Sequence, residues 1–113
     1  MGPETKLFVK WYDITGWILD RAEKFPKSQR FIFGQRVSNY CLDILERIVV
    51  AQYTRSKAAM LAEVNMKVEV LRVLLRLCSD RKLISLRQYE YIGGEINEAG
   101  KMVGGWIKQQ GGR

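Results

Sequence analysis

The stretch LAEVNMKVEVLRVLLRLC, residues 61–78, decides how this chain folds. Leu61, Val64, Val68, Leu71, Leu75 and Cys78 recur in alternating steps of three and four. That spacing puts side chains on one face of an α-helix and lets neighbouring helices interlock. One such seam is enough for the core of a bundle. A second, formed by Met66, Val70, Val73 and Leu77, keeps the same rhythm on a different side, with Arg72 and Arg76 one turn apart between apolar neighbours. A helix that is apolar on two sides is expected to meet a second partner surface, which makes self-assembly part of the function.

The segments on either side carry the same signal. A first helix is expected over about residues 5–24, with Phe8, Trp11, Thr15, Ile18 and Ala22 on one stripe and Phe25-Pro26 ending it. A second, about residues 29–53, turns Phe33, Val37, Tyr40, Ile44, Ile48 and Ala51 inward, while Leu42, Leu45 and Val49 give it a further apolar edge. Thr54-Arg55-Ser56 breaks the pattern before the third helix, about residues 57–79. The fourth, about residues 86–109, opens with Ser85-Leu86-Arg87-Gln88, a capping box in which serine and glutamine satisfy free N–H groups reciprocally. Its stripe is Tyr89, Ile92, Ile96, Ala99, Val103 and Trp106.

This last helix also contains Gly93, Gly94, Gly100, Gly104 and Gly105. Each interior glycine costs about 1 kcal/mol relative to alanine, so some compensation is expected. Close backbone packing at Gly100-x-x-x-Gly104 is one reading, and a helix weak or broken near Gly93-Gly94 is the other. Four helices joined by short turns define an all-α, up-down-up-down four-helix bundle, one domain over residues 1–113.

The composition removes several function classes. With no histidine and only Cys41 and Cys78, both at apolar helical positions, the common structural zinc sets, the Glu-x-x-His di-iron pattern and the usual nucleophilic triads cannot be built. Enzymatic activity is therefore the least expected class, and no cofactor is implied. Carboxylates such as Asp13, Asp20 and Glu23 read as solvated or ion-paired groups. The apolar runs are too short for a transmembrane helix, no secretory leader is visible, and Lys6 stands where a myristoylation motif needs Ser or Thr, so a cytoplasmic protein is expected.

A net charge of +7 favours a polyanionic partner. In an up-down-up-down bundle the first and third turns share one end, which collects Lys24, Lys27, Arg30, Arg76, Arg81, Lys82 and Arg87 against Glu23, Asp80 and Glu90. The other end gathers Lys6, Lys10, Arg55, Lys57, Lys108 and Arg113, so basicity alone does not select a face. Long basic side chains at bundle ends also serve simply as solvated caps. No base-reading helix and no aromatic RNA-recognition motif is present, so nucleic-acid binding would be largely sequence-tolerant. Trp11 and Trp17 with nearby lysines admit a membrane-surface reading, but core packing is the simpler one, and no membrane partner is expected.

Three segments resemble one family. Phe25-Pro26-Lys27-Ser28-Gln29-Arg30-Phe31, Leu71-Arg72-Val73-Leu74-Leu75-Arg76-Leu77 and Gly100-Lys101-Met102-Val103-Gly104-Gly105-Trp106-Ile107-Lys108 are similar to the four-helix-bundle family that includes the ribosomal intervening-sequence proteins and the Avd accessory variability determinants of diversity-generating retroelements. The likeness covers about residues 8–109.

The resemblance implies a homo-oligomeric, pentameric barrel of bundles, encoded by a bacterium, archaeon or phage. It further implies a basic surface for RNA and DNA and association with a reverse transcriptase that copies a template repeat into cDNA during mutagenic homing. Carried over onto this chain, Lys27 and Arg30 match the basic turn, and Arg72 and Arg76 the paired arginines of the third helix. Arg81, Lys82 and Arg87 extend the same candidate surface for nucleic acid or reverse transcriptase. Leu42, Leu45, Val49, Met66, Val70, Val73 and Leu77 are the candidate oligomer interface. The alternative is an oligomeric protein-interaction scaffold of the intervening-sequence type, without direct nucleic-acid binding.

Overall fold

The structure, a computed structural model, describes residues 3–111 and the side chains of residues 6–110. Arg113, counted above at one basic end, lies outside the described residues. Four long helices are present: α1 (Pro3–Glu23), α3 (Gln35–Gln52), α4 (Ala58–Asp80) and α5 (Leu86–Gly111). The single turn α2 (Lys27–Gln29) and a π-helical turn, Arg30–Gly34, lead into α3. Helix α1 packs on α3 and α5, and α4 packs on the same two, so α1 and α4 are diagonal in a bundle 48 × 23 × 22 Å in extent. Among the described residues there is no strand.

The first seam of residues 61–78 is the core of α4. Leu61, Val64, Val68, Leu71, Leu75 and Cys78 are all buried. On α5 the expected stripe holds from Ile92 to Trp106, with Tyr89 half-buried at its start. On α1 the buried set is Leu7, Trp11, Ile14, Thr15, Ile18 and Ala22, and Phe8 is only half-buried. Trp11 ties the first two long helices together, its Nε1–H donating to the Cys41 carbonyl at 3.0 Å, and buried Thr15 satisfies its hydroxyl on the Trp11 carbonyl at 2.8 Å.

The entry to α3 departs from a regular helix. Pro26 has no N–H to give, and its carbonyl accepts from both Gln29 and Arg30, at 2.8 and 3.0 Å. The chain then widens into the π turn, closed by the Gln35 N–H on the Arg30 carbonyl. Gly34 rather than Phe33 is buried at the first inward position, three residues before Val37 in an unbroken three-four rhythm. A Cβ added at Gly34 would stand 3.4 Å from the Ala22 carbonyl oxygen, already at contact, so a larger side chain would push α1 away. Downstream the buried stripe is Val37, Cys41, Ile44, Ile48 and Ala51, with Cys41 taking the place expected for half-buried Tyr40.

The glycine-rich fourth helix is continuous through Gly93 and Gly94. Backbone packing at Gly100-x-x-x-Gly104 does not occur. Nothing lies within 4 Å of a Cβ added at Gly104, and at Gly100 the neighbour is a side chain, Arg72 Nη2, at 3.1 Å. Gly100 makes room for a guanidinium, not for a helix backbone.

Candidate nucleic-acid interface

The turns α1–α3 and α4–α5 share one end of the bundle. The α4–α5 corner is fixed on both sides by local hydrogen bonds. The Lys82 N–H donates to the Ser79 carbonyl and the Leu83 N–H to the Cys78 carbonyl, both at 2.9 Å, which is a Schellman ending for α4. The expected capping box then starts α5: the Ser85 N–H donates to Gln88 Oε1 at 2.9 Å, and the Gln88 N–H to Ser85 Oγ at 3.1 Å. At the left-handed position of the Schellman turn, where glycine is the usual residue, stands Lys82 with φ 62°. Its ammonium group is presented at the tip of the corner.

Of the expected basic residues, Lys27, Arg30, Arg76, Arg81, Lys82 and Arg87 are exposed. None of these six holds an ion pair among the described residues. Arg81 joins the two turns, its guanidinium lying 5.7 Å from the Phe33 ring in the π turn. Arg72 is placed differently. It lies in the groove between α4 and α5, where Nη1 donates to Asn97 Oδ1 and Nε forms a 3.0 Å ion pair with Glu69 that lacks hydrogen-bond alignment. It clamps α4 to α5 instead of standing with the turn residues.

Several exposed or half-exposed groups at this end fall outside the residues expected from sequence. Phe31 and Ile32 project from the π turn, 75% and 60% exposed, and Phe31 lines a shallow cleft with Leu19, Glu23, Arg30 and Gln35. Their signal was the run Phe31-Ile32-Phe33, three apolar residues that cannot all face one core. Trp17 lies off the buried stripe of α1 and meets Tyr91 of α5, ring centroids 5.6 Å apart. Arg21, one turn along, stands over the Trp17 ring at 5.9 Å.

The expected interface residues range from exposed to half-buried, and Val50, which is not among them, is also exposed on α3. Met66 and Val73 are 67% and 66% exposed, Leu77 and Leu42 are exposed, and Val70, Leu45 and Val49 are half-buried. At 100° per residue the α4 seam lies opposite the buried seam of the same helix. On α3, Tyr40 and Arg47 face α4, through Lys67 over the Tyr40 ring at 5.2 Å and the 2.9 Å Arg47–Glu63 ion pair. Leu42, Leu45 and Val49 lie on the flank away from these contacts. The two apolar edges therefore belong to different faces of the bundle.

Burial pushes both thiols up, Cys78 to about 11 and Cys41 further, so they are inert core groups. Among the described residues no group of His, Cys, Asp or Glu is placed to hold a metal ion. No helix of the described residues is long and apolar enough to cross a membrane.

Fold and surface together define a basic four-helix-bundle protein with unpartnered apolar flanks. The bAvd-like family model matches residues 7–110, and the chain belongs to that family. It is an accessory-protein family, not one known for catalysis. No curated protein matches the chain.

Proposed function

We propose that this protein is a non-catalytic accessory factor of a retroelement reverse transcriptase, which binds RNA and DNA with little sequence preference and supports cDNA synthesis from a template repeat. The observation that carries this reading is the basic end: six exposed cations without an ion pair, of which Arg30 donates to the Phe25 carbonyl, on two turns and the helix ends beside them, joined by the Arg81–Phe33 contact, in a chain of the bAvd-like family. Structural cations are generally consumed by carboxylates or helix carbonyls, whereas cations left unpaired and held on a fixed corner suit phosphate groups.

Assembly completes the reading. Two apolar edges on different faces suit head-to-tail contact, the α4 seam of one copy against the α3 flank of the next, an arrangement that forms a ring when the rotation between copies closes. A two-fold dimer would bury one edge twice and leave the other wet. A ring of five, as the family resemblance implies, repeats the +7 field around its rim and gives multivalent binding.

The test is fluorescence anisotropy of nuclease-treated protein against a structured RNA, a DNA duplex and an RNA/DNA hybrid across a salt series. Binding that weakens steeply with salt is expected. No binding at low salt, together with nuclease-insensitive capture of the reverse transcriptase, would transfer the function to the protein-docking scaffold. For assembly, Val73→Glu is expected to reduce the mass seen by light scattering while leaving the helical circular dichroism in place. An unchanged mass would refute the α4 seam as the interface.

A further inference from the structure

We infer that the face between α1 and α5 carries a stacking site for an unpaired nucleobase, built from Trp17 and Tyr91, with Arg21 and Arg87 together at one end of it for the neighbouring phosphate. This rests on the nucleic-acid reading above and specifies which form of nucleic acid the surface takes. Trp17, Arg87, Gln88 and Tyr91 line one open cleft. The two rings are tilted by 45° at 5.6 Å, so they do not cover each other face to face, and Tyr91 is 53% exposed. An exposed aromatic face beside a second ring is the platform on which bases stack in single-strand binders, and such stacking tolerates any base.

The charges around the cleft fit a strand better than a duplex or an acidic side chain alone. Arg21, one turn past Trp17 on α1 and over its ring, and Arg87, one turn before Tyr91 on α5 and lining the cleft, both lie toward the turn end. Two cations therefore stand together beyond one edge of the rings, where the backbone leaving a stacked base can run. Glu95, one turn beyond Tyr91, is neutralised by Lys10 at 3.1 Å. Asp13, one turn before Trp17, is an exposed carboxylate on this side, and it limits the basic surface to the end of the face that holds Arg21 and Arg87. Gln88 has its amide oxygen committed to the Ser85 N–H, which leaves its NH2 group as a donor beside the rings. In a duplex the base faces are already stacked, so only an unpaired or extruded base can enter.

The experiment compares binding of the full chain to a labelled 12-nucleotide oligoadenylate and to a duplex RNA of the same length. Tyr91→Ala is expected to weaken oligoadenylate binding by about tenfold, the size of one stacking interaction, and to change duplex binding by less than about twofold. Tyr91→Phe keeps the ring and is expected to bind as the unaltered protein does. Oligoadenylate is also expected to quench the emission of partly exposed Trp17, an effect lost in Trp17→Phe.

If the unaltered protein binds both nucleic acids and Tyr91→Ala weakens both equally or neither, the stacking site is refuted while the accessory reading stands. If it binds neither, both fall. Loss of reverse-transcriptase binding in Tyr91→Ala with oligoadenylate binding intact would assign the cleft to a protein segment and overturn the inference.

Discussion

The two ends of the bundle carry comparable numbers of basic side chains and use them differently. At the end built from the α1–α3 and α4–α5 turns, Lys27, Arg76, Lys82 and Arg87 stand exposed and free of ion pairs among the described residues. Toward the other end, Lys57 donates to the Thr54 carbonyl at 2.6 Å and lies 5.8 Å from the Trp106 ring, and Lys10 is bound to Glu95. Lys6, Arg55 and Lys108 remain exposed there. Each end spends two basic groups on itself, since Arg30 donates to the Phe25 carbonyl and Arg81 lies over the Phe33 ring. What separates the ends is that the free cations of the first stand on a corner closed by local hydrogen bonds, which composition does not contain.

The sharpest way to break this comparison is charge reversal at each end in turn. Combining Arg76→Glu, Lys82→Glu and Arg87→Glu is expected to weaken RNA binding at least about tenfold and to lower the log–log salt slope by about 2 to 3. Combining Lys6→Glu, Arg55→Glu and Lys108→Glu is expected to cost less than about threefold, because those groups are not gathered on a fixed corner. Anisotropy titrations of both triple variants across salt decide it, and equal losses would erase the distinction between the ends.

Smaller effects sharpen it. Lys82→Gly relieves the left-handed backbone and is expected to stabilise the fold by about 0.5–1 kcal/mol in urea unfolding, while weakening RNA binding. Opposite signs in one variant would mark a residue kept for its charge. In α5, Gly104→Ala meets open space and is expected to stabilise by about 0.5–1 kcal/mol, whereas Gly100→Ala must displace the Arg72 guanidinium and gains less. If Gly104→Ala instead lowers the mass seen by light scattering, that stretch of α5 is covered in the assembly.

Stability also carries a pH dependence. Cys78 titrates at 9.0 when free and at about 11 in the fold, so the unfolded chain loses this proton first. The associated stability is complete below about pH 9 and is lost as pH rises through about 11. Thermal melts at pH 8 and pH 10.5 are expected to differ less in Cys78→Val than in the unaltered protein.

The core of α4 was fully legible because one rhythm governs the whole helix, and the capping box at Ser85 was legible because both partners lie within four residues. The entry to α3 was not. Phe33 and Tyr40 were expected inside, but the buried rhythm runs through their neighbours Gly34 and Cys41, small residues that a hydrophobicity reading passes over in favour of the rings beside them. Gly100 was misread for a similar reason: a missing side chain announces that something approaches, and here the approaching group is Arg72 from a helix whose rotation the sequence does not state. The Trp17–Tyr91 contact joins residues 74 positions apart on helices adjacent only once the bundle has closed, so no local pattern could pair them.

The α4–α5 corner also bears on the order in which the chain acquires its shape. Its Schellman turn and capping box are closed by bonds that span no more than five residues, so the loop entropy of forming them is small. The α1–α3 pair depends on the Pro26 turn, the seating of Gly34 against Ala22, and the Trp11 bond to Cys41, 30 residues away. The C-terminal hairpin is therefore the natural nucleus, and the N-terminal pair condenses onto it. Pulsed hydrogen exchange should find amides of residues 71–83 and 89–96 protected before those of residues 30–45. The corner that presents Lys82 would then exist before the rest of the bundle has closed.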